Sequence, residues 1–177
     1  MESLKELYRI GRGPSSSHTI APTKAAELFA AENPEASRYC VTLYGSLSKT
    51  GKGHMTDIAI LDVLGRDRCQ IIDSDRPDEE LPHPNTMVFE AFAADGSLAA
   101  LMEVYSVGGG RIVIKGRPAK KAQDVYQLST FEDIRDYCGK NRMRICDYVY
   151  ETEGAEIKAY LAAIWKQMKR TIEAGLA

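Results

Sequence analysis

The chain has 177 residues, of which 44% are hydrophobic and 27% charged, and its formal net charge is -2. That is enough for one domain of ordinary size with a core of its own, and the near-neutral balance points away from nucleic acid or an anionic membrane surface as a partner. No apolar run approaches the roughly 20 residues that span a bilayer, and the start of the chain, Met1 to Leu7, lacks the basic-then-apolar order of a signal peptide, so no membrane partner and a cytoplasmic location are expected.

Taken in order, Glu2 to Ile10 carries Leu4, Leu7 and Tyr8 at helical spacing and predicts a short amphipathic helix ended by Gly11. A polar loop, Gly13 to Ala21, runs into a helix from Thr23 to Glu32, with Pro22 suited to its first turn and Ser17 or Thr19 as its cap. Tyr39 to Gly45 reads as a strand, Ile58 to Leu64 as a helix and Cys69 to Asp73 as a short strand. Asp73 to Pro84 is acidic and proline-containing and is expected to be a solvated excursion, with His83 a surface residue. Met87 to Ala93 and Leu98 to Val107 predict two strands joined at Asp95-Gly96, a good hairpin turn signal. Arg111 to Lys115 is a further strand candidate. Phe131 to Cys138, capped by Thr130 and ended by Gly139, begins a helical region. It continues with Met143 to Tyr150 and with Ala155 to Ala174, where Ile157, Tyr160, Leu161, Ile164, Met168 and Ile172 form an apolar stripe beside Trp165.

Two stretches are too polar and glycine-rich for mere connections. Tyr44 to Asp57 lies between a predicted strand and helix and holds three glycines, two lysines, hydroxyl residues and His54. Ser15 to Thr19 precedes another helix and holds three serines and His18. Each offers main-chain N–H donors, hydroxyls and an imidazole at a helix start, which suits a small carboxylate-bearing ligand. The second stretch is not a phosphate-binding P-loop, because five residues separate Gly45 from Gly51 and Gly53, not Ser or Thr, follows Lys52. A third glycine cluster, Gly108 to Gly110, is either a flexible turn or a wall of the same ligand site. The four cysteines, Cys40, Cys69, Cys138 and Cys146, form no Cys-x-x-Cys pair and read as buried small apolar side chains.

At Gly13-Pro14-Ser15-Ser16-Ser17-His18-Thr19 and at Tyr44-Gly45-Ser46-Leu47-Ser48-Lys49-Thr50-Gly51-Lys52-Gly53-His54-Met55-Thr56-Asp57 the sequence resembles the iron–sulfur-dependent L-serine dehydratases of bacteria, in their β subunit or the N-terminal domain of the single-chain forms. Tyr105-Ser106-Val107-Gly108-Gly109-Gly110 and the end segment from Ile157 to Leu176, with Trp165, Met168 and Gly175, extend the resemblance over nearly the whole chain. It implies an α/β (α+β) fold, a mixed sheet flanked by helices over residues 1–129, related to a small regulatory-type domain of some phosphoglycerate dehydrogenases. Residues 130–177 are then a helical C-terminal extension leading toward a catalytic domain or partner.

The resemblance further implies a lyase that converts L-serine to pyruvate and ammonia without pyridoxal phosphate. A [4Fe-4S] cluster acts there as a Lewis acid on the substrate hydroxyl. Its cysteine ligands belong to the partner catalytic chain or domain, so neither a cofactor-binding nor a metal-binding residue is expected in this chain, which alone should be inactive. Carried over position by position, Ser15, Ser16, Ser17, His18 and Thr19 fall on the family's first loop, and Lys52, Gly53, His54, Thr56 and Asp57 on its second. His54 is then expected as general base and His18 as substrate-positioning residue or alternative base, with the remaining eight as substrate-binding candidates. Arg12 and Ala21 depart from the family at flanking positions; Arg12 either adds a cation near the carboxylate site or lies on the surface. The other class of reading is a non-catalytic, amino-acid-binding regulatory module. The apolar C-terminal helix predicts an interface, and with it an oligomer.

Overall fold

A computed structural model describes residues 1–118 and 123–177. The helices are α1 (Leu4–Leu7), α2 (Ala21–Glu32), α3 (Ser46–Thr50), α4 (Thr56–Leu64), α5 (Phe131–Lys140), α6 (Ile145–Glu153) and α7 (Ile157–Leu176); the strands are β1 (Arg38–Leu43), β2 (Cys69–Asp73), β3 (Thr86–Phe92), β4 (Leu98–Ser106) and β5 (Ile112–Ile114). Within the described residues, 11–118 form one compact unit and 1–10 with 123–177 a second.

The first unit is built on a mixed sheet in the order β2-β1-β3-β4-β5, with β1 and β2 parallel and the remaining pairs antiparallel. Strand side chains alternate between faces, so Tyr39, Val41 and Leu43 of β1, Met87, Phe89 and Ala91 of β3, and Met102 and Val104 of β4 enter one core. Ala25, Ala26 and Phe29 of α2 and Ile60 and Leu64 of α4 close that core. Phe29 meets Tyr39 and Phe89 with ring centroids 6.0 and 5.6 Å apart. Each large side chain buried this way contributes roughly 1.5–3 kcal/mol. The β3–β4 hairpin turns at Asp95-Gly96 as expected, where Gly96 has a φ of 84° and Asp95 Oδ1 accepts from the Ser97 N–H at 2.9 Å. The parallel β1–β2 pair forces the chain between them to cross over the sheet. That crossover, through α3 and α4, is the glycine-rich second loop, so the polar stretch lies where β1 ends.

Several expectations are corrected. The first ten residues form one helical turn rather than an amphipathic helix, because their main chain is held in the second unit by other partners. The N-terminal ammonium donates to the Tyr126 carbonyl at 2.9 Å, and Glu153 accepts from Ser3 Oγ at 2.6 Å and Leu4 N–H at 2.7 Å. Glu153 is held below the ordinary carboxylate range: burial opposes its ionisation, but the bonds from Ser3, Leu4 and Tyr126 outweigh that. Gly139 does not end α5. The helix passes through it and stops at Asn141, with Arg142 left-handed at φ 52° and the N–H groups of Arg142 and Met143 bonded to the carbonyls of Gly139 and Cys138. That is the Schellman pattern, here with Arg instead of Gly at its left-handed position.

In the second unit Tyr126, Cys138 and Tyr148 are buried together, with ring centroids of Tyr126 and Tyr137 at 5.9 and 5.4 Å from that of Tyr148. In α7, Ile157 and Ile164 are buried while Trp165, Met168, Ile172 and Leu176 are exposed. No helix among the described residues is long and apolar enough to cross a membrane.

Candidate active site

Both polar loops wind into helical turns rather than staying open. Ser16–Ile20 forms one wide turn of π type, closed by the Ala21 N–H on the Ser16 carbonyl and continuous with α2. Its cap is Ser15, whose Oγ accepts from the His18 N–H at 3.2 Å, and not Ser17 or Thr19, because the extra turn moves the helix start toward the N-terminus. The second loop folds as α3, a short turn over Lys52–His54, and then α4.

The two turns are stitched together reciprocally. Thr19 donates its hydroxyl to the His54 carbonyl at 3.0 Å, and Thr56 donates its own to the His18 carbonyl at 2.6 Å. Both threonines are fully buried. This brings the imidazoles of His18 and His54 to a centroid separation of 4.7 Å with 37° between their planes. His18 Nδ1 lies 3.0 Å from Ser17 Oγ, and His18 Nε2 lies 3.1 Å from both Ser46 Oγ and Thr50 Oγ1. His54 Nδ1 lies 3.0 Å from the Thr50 carbonyl oxygen. Both histidines are half-buried. Burial and the neighbouring His54 charge lower the His18 pKa below its ordinary value, against a smaller opposing effect from the Ser46 main chain.

The third glycine cluster backs the first loop as a wall. Ser106 Oγ donates to the Ser17 carbonyl at 2.9 Å, and Lys24 Nζ donates to the Gly110 carbonyl at 3.1 Å. Gly110 has a φ of 69°, and a Cβ there would stand 2.9 Å from Ile20 Cγ2, so close approach requires glycine at this position.

Residues 3–81 match the serine dehydratase beta chain family. The whole chain aligns with L-serine dehydratase 2 of Escherichia coli K12 at 30% identity over 226 residues, covering 50% of that protein. L-serine dehydratase of Streptomyces coelicolor is 29% identical over 225 residues, covering 98% of this chain and 50% of the relative. That of Mycobacterium tuberculosis CDC 1551 is 30% identical over 198 residues, covering 85% of this chain and 42% of the relative. Residues 3–81 thus carry a serine dehydratase beta-chain segment. The chain spans about half the length of the curated relatives it matches.

The sequence-derived residues take distinct places. His18, His54, Ser15 and Ser17 come together with Ser46 and Thr50, while Ser16 stands exposed at the head of the wide turn. Thr19 and Thr56 have their hydroxyls occupied by the stitch. Lys52 is exposed and pairs with Asp73 at 3.4 Å, and Asp57 Oδ1 accepts from the Ile58 N–H at 2.8 Å in the first turn of α4. Gly53 has open space around its Cα, whereas a Cβ on Gly51 would lie 2.1 Å from the Leu47 carbonyl oxygen. Arg12 is exposed and pairs with Asp62 at 2.5 Å, which places it on the surface.

Sequence reasoning passed over Ser46, Thr50 and the end of the acidic excursion. His83 is half-buried, with Nδ1 accepting from the Asn85 N–H at 3.0 Å, and the Pro84 carbonyl accepts from the Ser46 N–H at 2.8 Å. Asn85 donates through Nδ2 to the Ser106 carbonyl at 3.5 Å, and its buried Oδ1 has no hydrogen-bond partner among the described residues. The signal available was Pro84 directly after His83, which disfavours helical backbone at that histidine just before a strand.

The cysteines do not fit a cluster. Among the described residues no three His, Cys, Asp or Glu side chains come together as metal ligands. Cys40 and Cys138 are buried, and burial with the adjacent Cys40 pushes the Cys69 thiol up to about 12.

Proposed function

We propose that this chain is the β half of an L-serine dehydratase, converting L-serine to pyruvate and ammonia when assembled with a [4Fe-4S]-bearing chain or domain that corresponds to the rest of its relatives' length. The carrying observation is the histidine pair: two imidazoles 4.7 Å apart, delivered by two separate loops that bond each other through buried threonines. Effector binding needs donors only, whereas this arrangement also presents a basic nitrogen.

His54 takes the Cα proton of L-serine through Nε2, the ring nitrogen opposite its bond to Thr50. That proton is weakly acidic, so the developing charge needs electrostatic support. The hydroxyl of Ser16 and the N–H groups of Ser16 and Ser17 at the head of the Ser16–Ile20 turn bind the substrate carboxylate, since main-chain donors in the first turn have no helical acceptor of their own, while Ser17 holds the His18 ring. Thr19 and Thr56 hold the two loops in register, and Lys52, Gly53 and Asp57 shape the second loop's outer side. Loss of the proton and of the β-hydroxyl, as water, leaves an enamine; its imine form hydrolyses to pyruvate and ammonia. The helical region from residue 130 onward leads toward the catalytic part, with the exposed Trp165, Met168, Ile172 and Leu176 as its contact, in a cytoplasmic oligomer.

Anaerobic pyruvate formation from L-serine tests this, with the chain alone and then with a cluster-bearing serine dehydratase chain added, iron and sulfide present in both. Activity in the mixture only is the expected result. Serine binding without turnover in the mixture would make the chain a regulatory module instead.

A further inference from the structure

We propose that Thr50 sets the protonation pattern of the histidine pair, its main chain and its side chain each fixing one imidazole. The Thr50 carbonyl is an acceptor only, and it lies 3.0 Å from His54 Nδ1. The proton of His54 therefore resides on Nδ1, and Nε2 carries the lone pair. The Thr50 hydroxyl proton is engaged on the Ser46 carbonyl at 2.8 Å. Toward His18 Nε2, at 3.1 Å, Thr50 Oγ1 consequently accepts, which places the His18 proton on Nε2. The bare nitrogen of His18 is then Nδ1, and Ser17 Oγ donates to it at 3.0 Å.

The two rings thus hold opposite tautomers. Every nitrogen of the pair is committed within the chain except His54 Nε2, which has no bond among the described residues. Ser46 Oγ accepts from the same His18 Nε2–H, so its own proton is left to point elsewhere. Thr50 is a positioning residue here. It acts through the two imidazoles, and its place at the exposed end of α3 lets it reach one ring with Oγ1 and the other with its carbonyl. Use of the bare His54 nitrogen as a base rests on the dehydratase function proposed for the chain. The ring protonation does not, and it is measured on this chain alone.

Long-range proton–nitrogen NMR of the uniformly nitrogen-15-labelled chain at pH 8 distinguishes protonated from bare imidazole nitrogens, with each histidine assigned by its Gln variant. The expected spectrum shows His54 as the Nδ1–H form and His18 as the Nε2–H form. Thr50→Val removes the hydroxyl but keeps the shape and the carbonyl. It should shift the His18 tautomer ratio two- to fivefold toward Nδ1–H, about the worth of one neutral hydrogen bond. His54 should be unchanged by it, and Thr50→Ser should restore the wild-type ratio. A wild-type chain with His54 as Nε2–H, or a His18 ratio that Thr50→Val leaves alone, overturns the assignment. The wild-type spectrum decides the His54 half whether or not the variant folds.

Discussion

His18 and His54 lie in loops of similar composition, each at a helical turn, and they end 4.7 Å apart, yet their surroundings differ. His18 has hydroxyl oxygens against both ring nitrogens, while His54 has one nitrogen against a main-chain carbonyl. Burial and the approach of His54 lower the His18 pKa, since two adjacent imidazolium rings repel each other. Two like residues at close quarters therefore divide the work: one is held and the other is left open to a ligand. Neither place follows from the residue type. Each follows from which neighbours the turns supply.

The largest expected effect breaks the open member of the pair. His54→Ala in the assembled enzyme should lower kcat about 10²–10⁴-fold, the usual worth of a positioned general base. Full turnover by this variant would remove His54 from the role. Within the second loop the glycines sharpen the contrast between what is required and what is tolerated. Gly51→Ala should cost about 3 kcal/mol, because a Cβ there meets the Leu47 main-chain oxygen at 2.1 Å, whereas Gly53→Ala should change stability by less than about 0.5 kcal/mol. Urea unfolding of the two variants, compared with the parent chain, measures both.

A smaller loss is expected from the stitch. Thr56→Val keeps the volume but leaves the His18 carbonyl without its partner, at about 1–3 kcal/mol. Thr19→Val does the same to His54, and a double-mutant cycle should show coupling between the two, since both bonds fix one loop against the other. Independent, additive losses would mean that the loops are held apart from each other's threonine.

The smallest effect is the pH dependence from the held member. Because the folded pKa of His18 is lowered, the unfolded chain takes up its proton first. The contribution of neutral His18 is complete above the unfolded value of about 6.5 and is lost as pH falls from there through the lower folded value. Unfolding midpoints at pH 8 and pH 5.5 should differ less in His18→Gln than in the parent chain.

How far the site could be read beforehand differs from residue to residue. The two histidine loops were legible because glycines, hydroxyls and an imidazole cluster before helical runs in a way that simple connections do not. Ser46 and Thr50 were not. They sit in the same stretch, but their role depends on α3 winding so that residues four apart share a face, which brings both hydroxyls to the His18 ring. His83 reads as part of a solvated loop on the strength of its acidic and proline neighbours, and Asn85 carries no signal of its own. The return of that loop over Gly45 and Ser46 half-buries His83 and Asn85, a contact between segments far apart in sequence.

The sequence by itself determined the strands, the longer helices and the apolar faces they bury. Period-two apolar runs made strands, the Asp95-Gly96 pair made the hairpin, and the alternation carried Val41, Phe89 and Val104 to one face. It also located the two loops and the residues capable of acid–base chemistry. Only the tertiary structure decided that Thr19 and Thr56 bind the loops together, that Gly51 and not Gly53 is the sterically required glycine, and that Arg12 pairs on the surface with Asp62. Local patterns record what a residue can do with its neighbours in the chain, whereas a hydroxyl or an imidazole has several possible partners, and only packing selects among them.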